Sequence, residues 1–105
     1  INAILWKSSL ETISFMPLAS ADPFGGVIIT DWYSPSSSAA KNERCKINIF
    51  IKGTELKTNN LKVNTFCQSL NENNIWVDLL SSTEDNIKIE NAILNKAKKL
   101  KLSTN

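Results

Sequence analysis

A chain of 105 residues with 42% hydrophobic and 21% charged residues is long enough for one domain that buries roughly 65% of its unfolded surface. That composition excludes disordered and fibrous classes. The formal net charge of +2 comes from 12 basic and 10 acidic residues, and Arg44 is the single arginine among the lysines. This is too weak an electrostatic footprint for nucleic-acid binding, which relies on arginine for bidentate contacts. There is no histidine, which removes the commonest general base and the commonest metal ligand. No apolar run approaches the roughly 20 residues a membrane helix requires. The chain starts at Ile1 rather than Met, so any signal or anchor segment would lie upstream, and membrane contact is expected only through such an anchor.

Ala3, Trp6, Leu10 and Ile13 recur at helical spacing with Lys7, Ser8, Ser9, Glu11 and Thr12 between them. This predicts an amphipathic helix over residues 2 to 15, ended by Pro17. Next comes FMPLASADPFGGVIITDWY, in which only Asp22 and Asp31 are ionisable. Its Pro and Gly read as a loop, yet ordinary loops are polar because they face water. Residues 15 to 24 are therefore expected to pack against something. Gly25 and Gly26 lead into a strand from Gly26 to Tyr33, with Val27 and Ile29 on one side and Ile28 and Trp32 on the other. A strand apolar on both faces implies two covers, and the preceding loop is the expected second one. The Ser- and Ala-rich segment 34 to 42 reads as a mobile hairpin connection.

From Cys45 to Lys52 the residues alternate, with Cys45, Ile47, Ile49 and Ile51 on one face. A second alternating run places Leu61, Val63, Thr65 and Cys67 in the same phase, so the two form an antiparallel hairpin. NENN at 71 to 74 is a turn, and IWVDLL at 75 to 80 is a short fourth strand. Ser81 and Glu84 form a candidate capping box. The helix after it buries Ile89, Ile93, Ala97 and Leu100, with Leu94 alongside. Lys96, Lys98, Lys99 and Lys101 gather at its C-terminal end, where the helix dipole favours cations. The expected fold class is α+β, a single domain over 1 to 105: N-terminal helix, four-stranded antiparallel sheet and C-terminal helix, with both helices on the isoleucine face.

Candidate chemistry is sparse. The cysteines are far apart with no CxxC spacing, so neither a zinc nor a redox motif is supported. They lie directly opposite each other if the hairpin is centred near Leu56 and diagonally if the centre shifts by one step. Two free, buried thiols are the favoured reading over a disulfide. Asp22 and Asp31 are a weak carboxylate pair, since Asp before Pro more often starts a turn. Gly25-Gly26 lacks the context of a phosphate loop. No catalytic residue, metal or cofactor is expected. Phe50, Phe66 and Trp76 stand on the otherwise polar sheet face, joined by Tyr33 or Trp32 depending on how the first strand is turned. They form either a binding face or a sheet-stabilising row covered by the apolar loop, and the covered arrangement is favoured because the loop needs a place to pack.

The FMPLASADPFGGVIITDWY stretch resembles the hallmark of a bacterial family of unknown function, domain-of-unknown-function family thirty-five seventy-six. LWKSSLETISF before it, ERCKINIFIKGTEL after it, and WVDLL ahead of ENAILNKAKKLKL extend the resemblance over nearly the whole chain. It implies a secreted or lipid-anchored envelope protein, periplasmic or outer-membrane-associated, and brings no catalytic residues. The expected function is a non-enzymatic cell-envelope domain serving protein interaction or assembly, by analogy with accessory lipoproteins of outer-membrane protein assembly. The expected contacts to an envelope protein partner are Pro17, Asp22, Pro23, Phe24, Gly25 and Gly26 on the loop and Phe50, Phe66 and Trp76 on the sheet. The alternative is a small-molecule or lipid-binding domain with its pocket between the loop, a helix and the sheet.

Overall fold

The fold is that of a computed structural model, which describes residues 1–34 and 42–103. Most of the expected 34 to 42 connection lies outside the described residues. In chain order the elements are α1 (Ala3–Thr12), β1 (Leu18–Asp22), β2 (Val27–Thr30), β3 (Glu43–Ile51), β4 (Leu61–Leu70), β5 (Trp76–Asp78) and α2 (Thr83–Ser103). The strands form one antiparallel meander in the order β1-β2-β3-β4-β5. The α+β class and the two terminal helices match expectation, but the sheet has five strands rather than four.

The additional strand comes from the apolar stretch itself. Residues Leu18–Asp22 pair with β2 at the sheet edge, and all five are exposed. The stretch is therefore neither a plug nor a second cover for the sheet. Its sequence, LASAD, carries little strand propensity, and what makes it a strand is the backbone ladder offered by β2. The Pro17 carbonyl extends that ladder by accepting from Asp31 N at 2.8 Å. Proline lacks an N–H to donate, and a sheet edge is where that is tolerated.

The core lies between the sheet and the two helices. Leu5, Ile13 and Met16, from α1 and the turn after it, meet Ile28, Ile47, Ile49, Ile51, Leu61 and Val63 from the sheet and Ile93 and Ala97 from α2. The alternation in β3 and β4 thus selects the helix-facing side as expected. The α2 stripe is as expected at Ile93 and Ala97, with Ile89 and Leu94 packed at its flank, whereas Leu100 is only half-buried. Its start is set by Ser82, whose Oγ accepts from Asp85 N at 3.2 Å, rather than by the Ser81–Glu84 pair.

Helix α1 departs further from its sequence pattern. It is capped by Asn2, whose Oδ1 accepts from Leu5 N at 2.9 Å while its Nδ2 donates to the Thr54 carbonyl at 2.9 Å. It ends at Thr12, well before Pro17, because a turn then carries Ile13 and Met16 into the core. Ser8 and Ser9, polar in the helical pattern, are fully buried, while Ala3 is exposed. A helix held against both a second helix and a sheet buries more than one stripe.

The outer edge of β4 is closed in an unusual way. Strand β5 is short and reaches only Gln68 to Leu70, which leaves Val63 N without a strand partner. Glu90 on α2 supplies one, its Oε2 accepting from Val63 N at 2.9 Å. Glu90→Ala orphans that N–H and is expected to cost about 1–2 kcal/mol. Glu90→Gln keeps an acceptor and should recover most of it in a urea melt.

Candidate functional site

Among the described residues, neither helix nor loop covers the second face of the sheet. Even-numbered residues of β3 and β4 point there: Arg44, Lys46, Asn48 and Phe50 beside Gln68, Phe66, Asn64 and Lys62, respectively. Trp32 joins them through a bulge. From the Ile29–Asn48 pair to the Tyr33–Cys45 pair, the chain advances four residues on one side and three on the other, and one extra residue reverses the facing of the residues beyond it. Ile28 and Trp32, expected on one side, are therefore on opposite sides. Thr30 at the bulge is buried, and its Oγ1 accepts from Ile47 N at 2.7 Å.

The result is an aromatic–cation ladder. The Arg44 guanidinium lies 4.4 Å from the Trp32 ring centroid and 4.2 Å from that of Trp76, held between two indoles at distances favourable for cation–π attraction. Its Nε and Nη2 donate to Gln68 Oε1 at 2.9 and 2.7 Å. Gln68 is in turn fixed by its Nε2, which donates to Asp78 Oδ1 at 2.8 Å. Lys46 Nζ lies 4.9 Å from the Trp32 centroid and 6.0 Å from that of Phe66. Between these groups is a shallow hollow of about 270 Å³ lined by Trp32, Lys46, Asn48, Phe66, Gln68 and Asp78.

Behind the ladder, on the helix-facing side, Cys45 and Cys67 form a disulfide. They are direct partners in the β3–β4 register, the arrangement expected for a hairpin centred near Leu56. The favoured reading of free thiols is thus overturned: opposed positions with Cα atoms 4.1 Å apart place the two sulfurs within bonding reach.

The expected contact residues divide into separate groups. Phe66 and Trp76 belong to the ladder region, whereas Phe50 lies about 20 Å along β3 from Arg44 and lines a different depression with Lys62 and Glu90. Pro17, Asp22, Pro23, Phe24, Gly25 and Gly26 lie at the β1 edge and the β1–β2 turn. In that turn, Asp22 Oδ1 accepts from Phe24 N at 3.0 Å and the Asp22 carbonyl accepts from Gly26 N at 2.9 Å. Phe24 is 95% exposed at the tip, so Phe24→Asp is expected to change stability by no more than about 0.5 kcal/mol, measured by thermal melting. Tyr33 does not join the aromatic face; it packs edge-on against Phe15 with ring centroids 5.4 Å apart.

Sequence reasoning missed Arg44, Lys46, Gln68 and Asp78 as members of one site. A signal was present in the phase shared by the only arginine, Lys46 and the aromatics. What hid the arrangement was the bulge, which no residue pattern announces.

Comparison with known proteins agrees with the resemblance carried by the hallmark. The family model described as Domain of unknown function (DUF3576) matches residues 1–102. An uncharacterised protein of Rickettsia prowazekii (strain Madrid E) is 43% identical over 104 residues, covering 99% of this chain and 60% of that protein. The chain thus spans about three fifths of the length of that relative. With the match running from the first helix to the end of the last, the chain belongs to the DUF3576 family.

Proposed function

We propose that this domain is a non-enzymatic protein-interaction module of the bacterial cell envelope. The observation that carries this reading is the sheet face that the described residues leave open, where Trp32, Phe66 and Trp76 surround Arg44 and Lys46. Large aromatics and arginine are the residues enriched at the energetic centres of protein interfaces. The Cys45–Cys67 disulfide supports an envelope location, since disulfides persist in oxidising compartments such as the periplasm. The exposed β1–β2 turn with Phe24 at its tip is a second contact surface in this reading.

The test is site-specific photo-crosslinking in the periplasm. A photoreactive side chain at position 66 or 76 is expected to yield a defined protein adduct, whereas one at Lys88, on the exposed side of α2, is not. Absence of adducts from every open-face position would sink the proposal. The hollow of about 270 Å³, which lies on the open sheet face and not between the apolar loop, a helix and the sheet as expected, favours a second reading, a small-molecule carrier. That reading requires a bound metabolite in native mass spectrometry of gently purified protein.

A further inference from the structure

We infer that the ladder is a receptor for a carboxylate, and that the partner presents an acidic polypeptide segment to Arg44 and Lys46. This rests on the interaction-module reading and names the chemistry of its partner.

A guanidinium has five N–H donors, and Arg44 commits its Nε and one Nη2 proton to Gln68. The remaining donors are on the side away from Gln68. Ion pairs among the described residues include Lys57–Glu55, Lys88–Glu84 and Lys96–Glu11, and neither Arg44 nor Lys46 takes part in these. The acid that lines the hollow, Asp78, is bonded to the Gln68 amide. This holds the Gln68 oxygen toward Arg44 and leaves the guanidinium charge without an acidic partner among the described residues.

The group is thus charged, half-buried and held on three sides by two indoles and an amide. Most of the ordering cost of an arginine contact has already been met in the free protein, the condition under which a bidentate carboxylate contact gains most. Lys46, two residues along the same strand and on the same face, adds a second cation within reach of the same anion.

Charge complementarity selects an anion, and Asp78 restricts which one. Its carboxylate lines the hollow, so a densely charged phosphate or an anionic lipid surface meets repulsion there, while a single carboxylate on a peptide reaches Arg44 without crowding it. The half-buried rings of Trp32 and Trp76 and the exposed ring of Phe66 provide apolar contact for the neighbouring residues of such a segment.

Three tryptophans give the test an internal control, because Trp6 lies on α1 in the helix layer. The disulfide-intact, isotope-labelled domain is titrated with an oligoglutamate peptide, with an oligoglutamine peptide and with phosphatidylglycerol vesicles, following the indole N–H resonances. Oligoglutamate is expected to shift Trp32 and Trp76 but not Trp6, to be displaced by salt, and to bind about tenfold more weakly to Arg44→Lys, which keeps the charge and loses the fork. Oligoglutamine should shift none of them. Circular dichroism of Arg44→Lys and Lys46→Ala establishes that both variants remain folded.

Equal oligoglutamate binding by wild type and Arg44→Lys overturns the assignment, as does an equal response to the vesicles. If oligoglutamate moves no indole yet position 66 still crosslinks to a protein, the carboxylate receptor falls and the interaction module stands. If neither occurs, both fall.

Discussion

Reduction of the Cys45–Cys67 bridge should lower the stability of the domain by about 3 kcal/mol. The two cysteines are 22 positions apart, and in the chain-entropy account closing a loop of that length removes about that much from the unfolded ensemble. Native contacts are little altered, because Cys45 and Cys67 are already register partners in a long antiparallel pair. For a domain of this size the loss corresponds to a fall in melting temperature on the order of 15 °C. The measurement compares oxidised, reduced and Cys45→Ala/Cys67→Ala protein by thermal melting. The reduced wild type isolates the cross-link from the change of side chain. Two titratable thiols in unreduced, unfolded protein, or coincident melts of the oxidised and reduced forms, would refute the expectation. A domain that depends on this bridge would be markedly weaker in a reducing compartment, which connects its stability to the envelope location proposed above.

Gly26→Ala should cost about 2–4 kcal/mol and Gly25→Ala well under half of that. Gly26 has φ +69°, where any Cβ is disfavoured by roughly 1–2 kcal/mol. A Cβ there would also run into the backbone carbonyl of Ile51, and β3 cannot give way without disturbing the neighbouring bond from Ile51 N to the Gly26 carbonyl, at 2.7 Å. At Gly25 the added methyl meets the end of the Asp22 side chain, Oδ2 at 2.5 Å. That carboxylate is exposed and can swing into water, losing only its bond to Phe24 N. Denaturant melts of the two variants decide the matter, and equal costs would contradict this account. Adjacent glycines in the hallmark thus have different physical duties: the second closes the turn beside β3, and the first makes room for Asp22.

These results recast what the apolar stretch is for. Its lack of charge suggested burial, yet residues 17 to 25 are exposed. A run bracketed by Pro17 and Pro23 forms an edge strand because β2 offers a ladder on one side. Leu18 and Phe24 remain among the exposed large apolar residues of the chain. Exposure of such residues at a strand edge and turn tip is compatible with partner contact and incompatible with the plug expected from composition.

Local alternation was sufficient for much of the architecture. The isoleucines of β3, the phase of β4 and the stripe Ile89, Ile93 and Ala97 were all legible, because each is written into spacing that only one backbone geometry can satisfy, whereas the hairpin centre is open to one step in the sequence and only the β3–β4 register settles it near Leu56. The hallmark stretch likewise carried the family relationship. What required the tertiary structure was every feature made by two distant segments at once. Strand β1 depends on the edge that β2 presents. The burial of Ser8 and Ser9 depends on α1 being packed against both α2 and the sheet. The facing of Trp32 depends on one extra residue opposite Lys46, and the Arg44 sandwich depends on that bulge together with the register that brings Trp76 across β4. A sequence records the side chains and their periodicity, but the energy of an edge, a bulge or a bridge resides in pairings between segments far apart along the chain, and only the folded structure determines those.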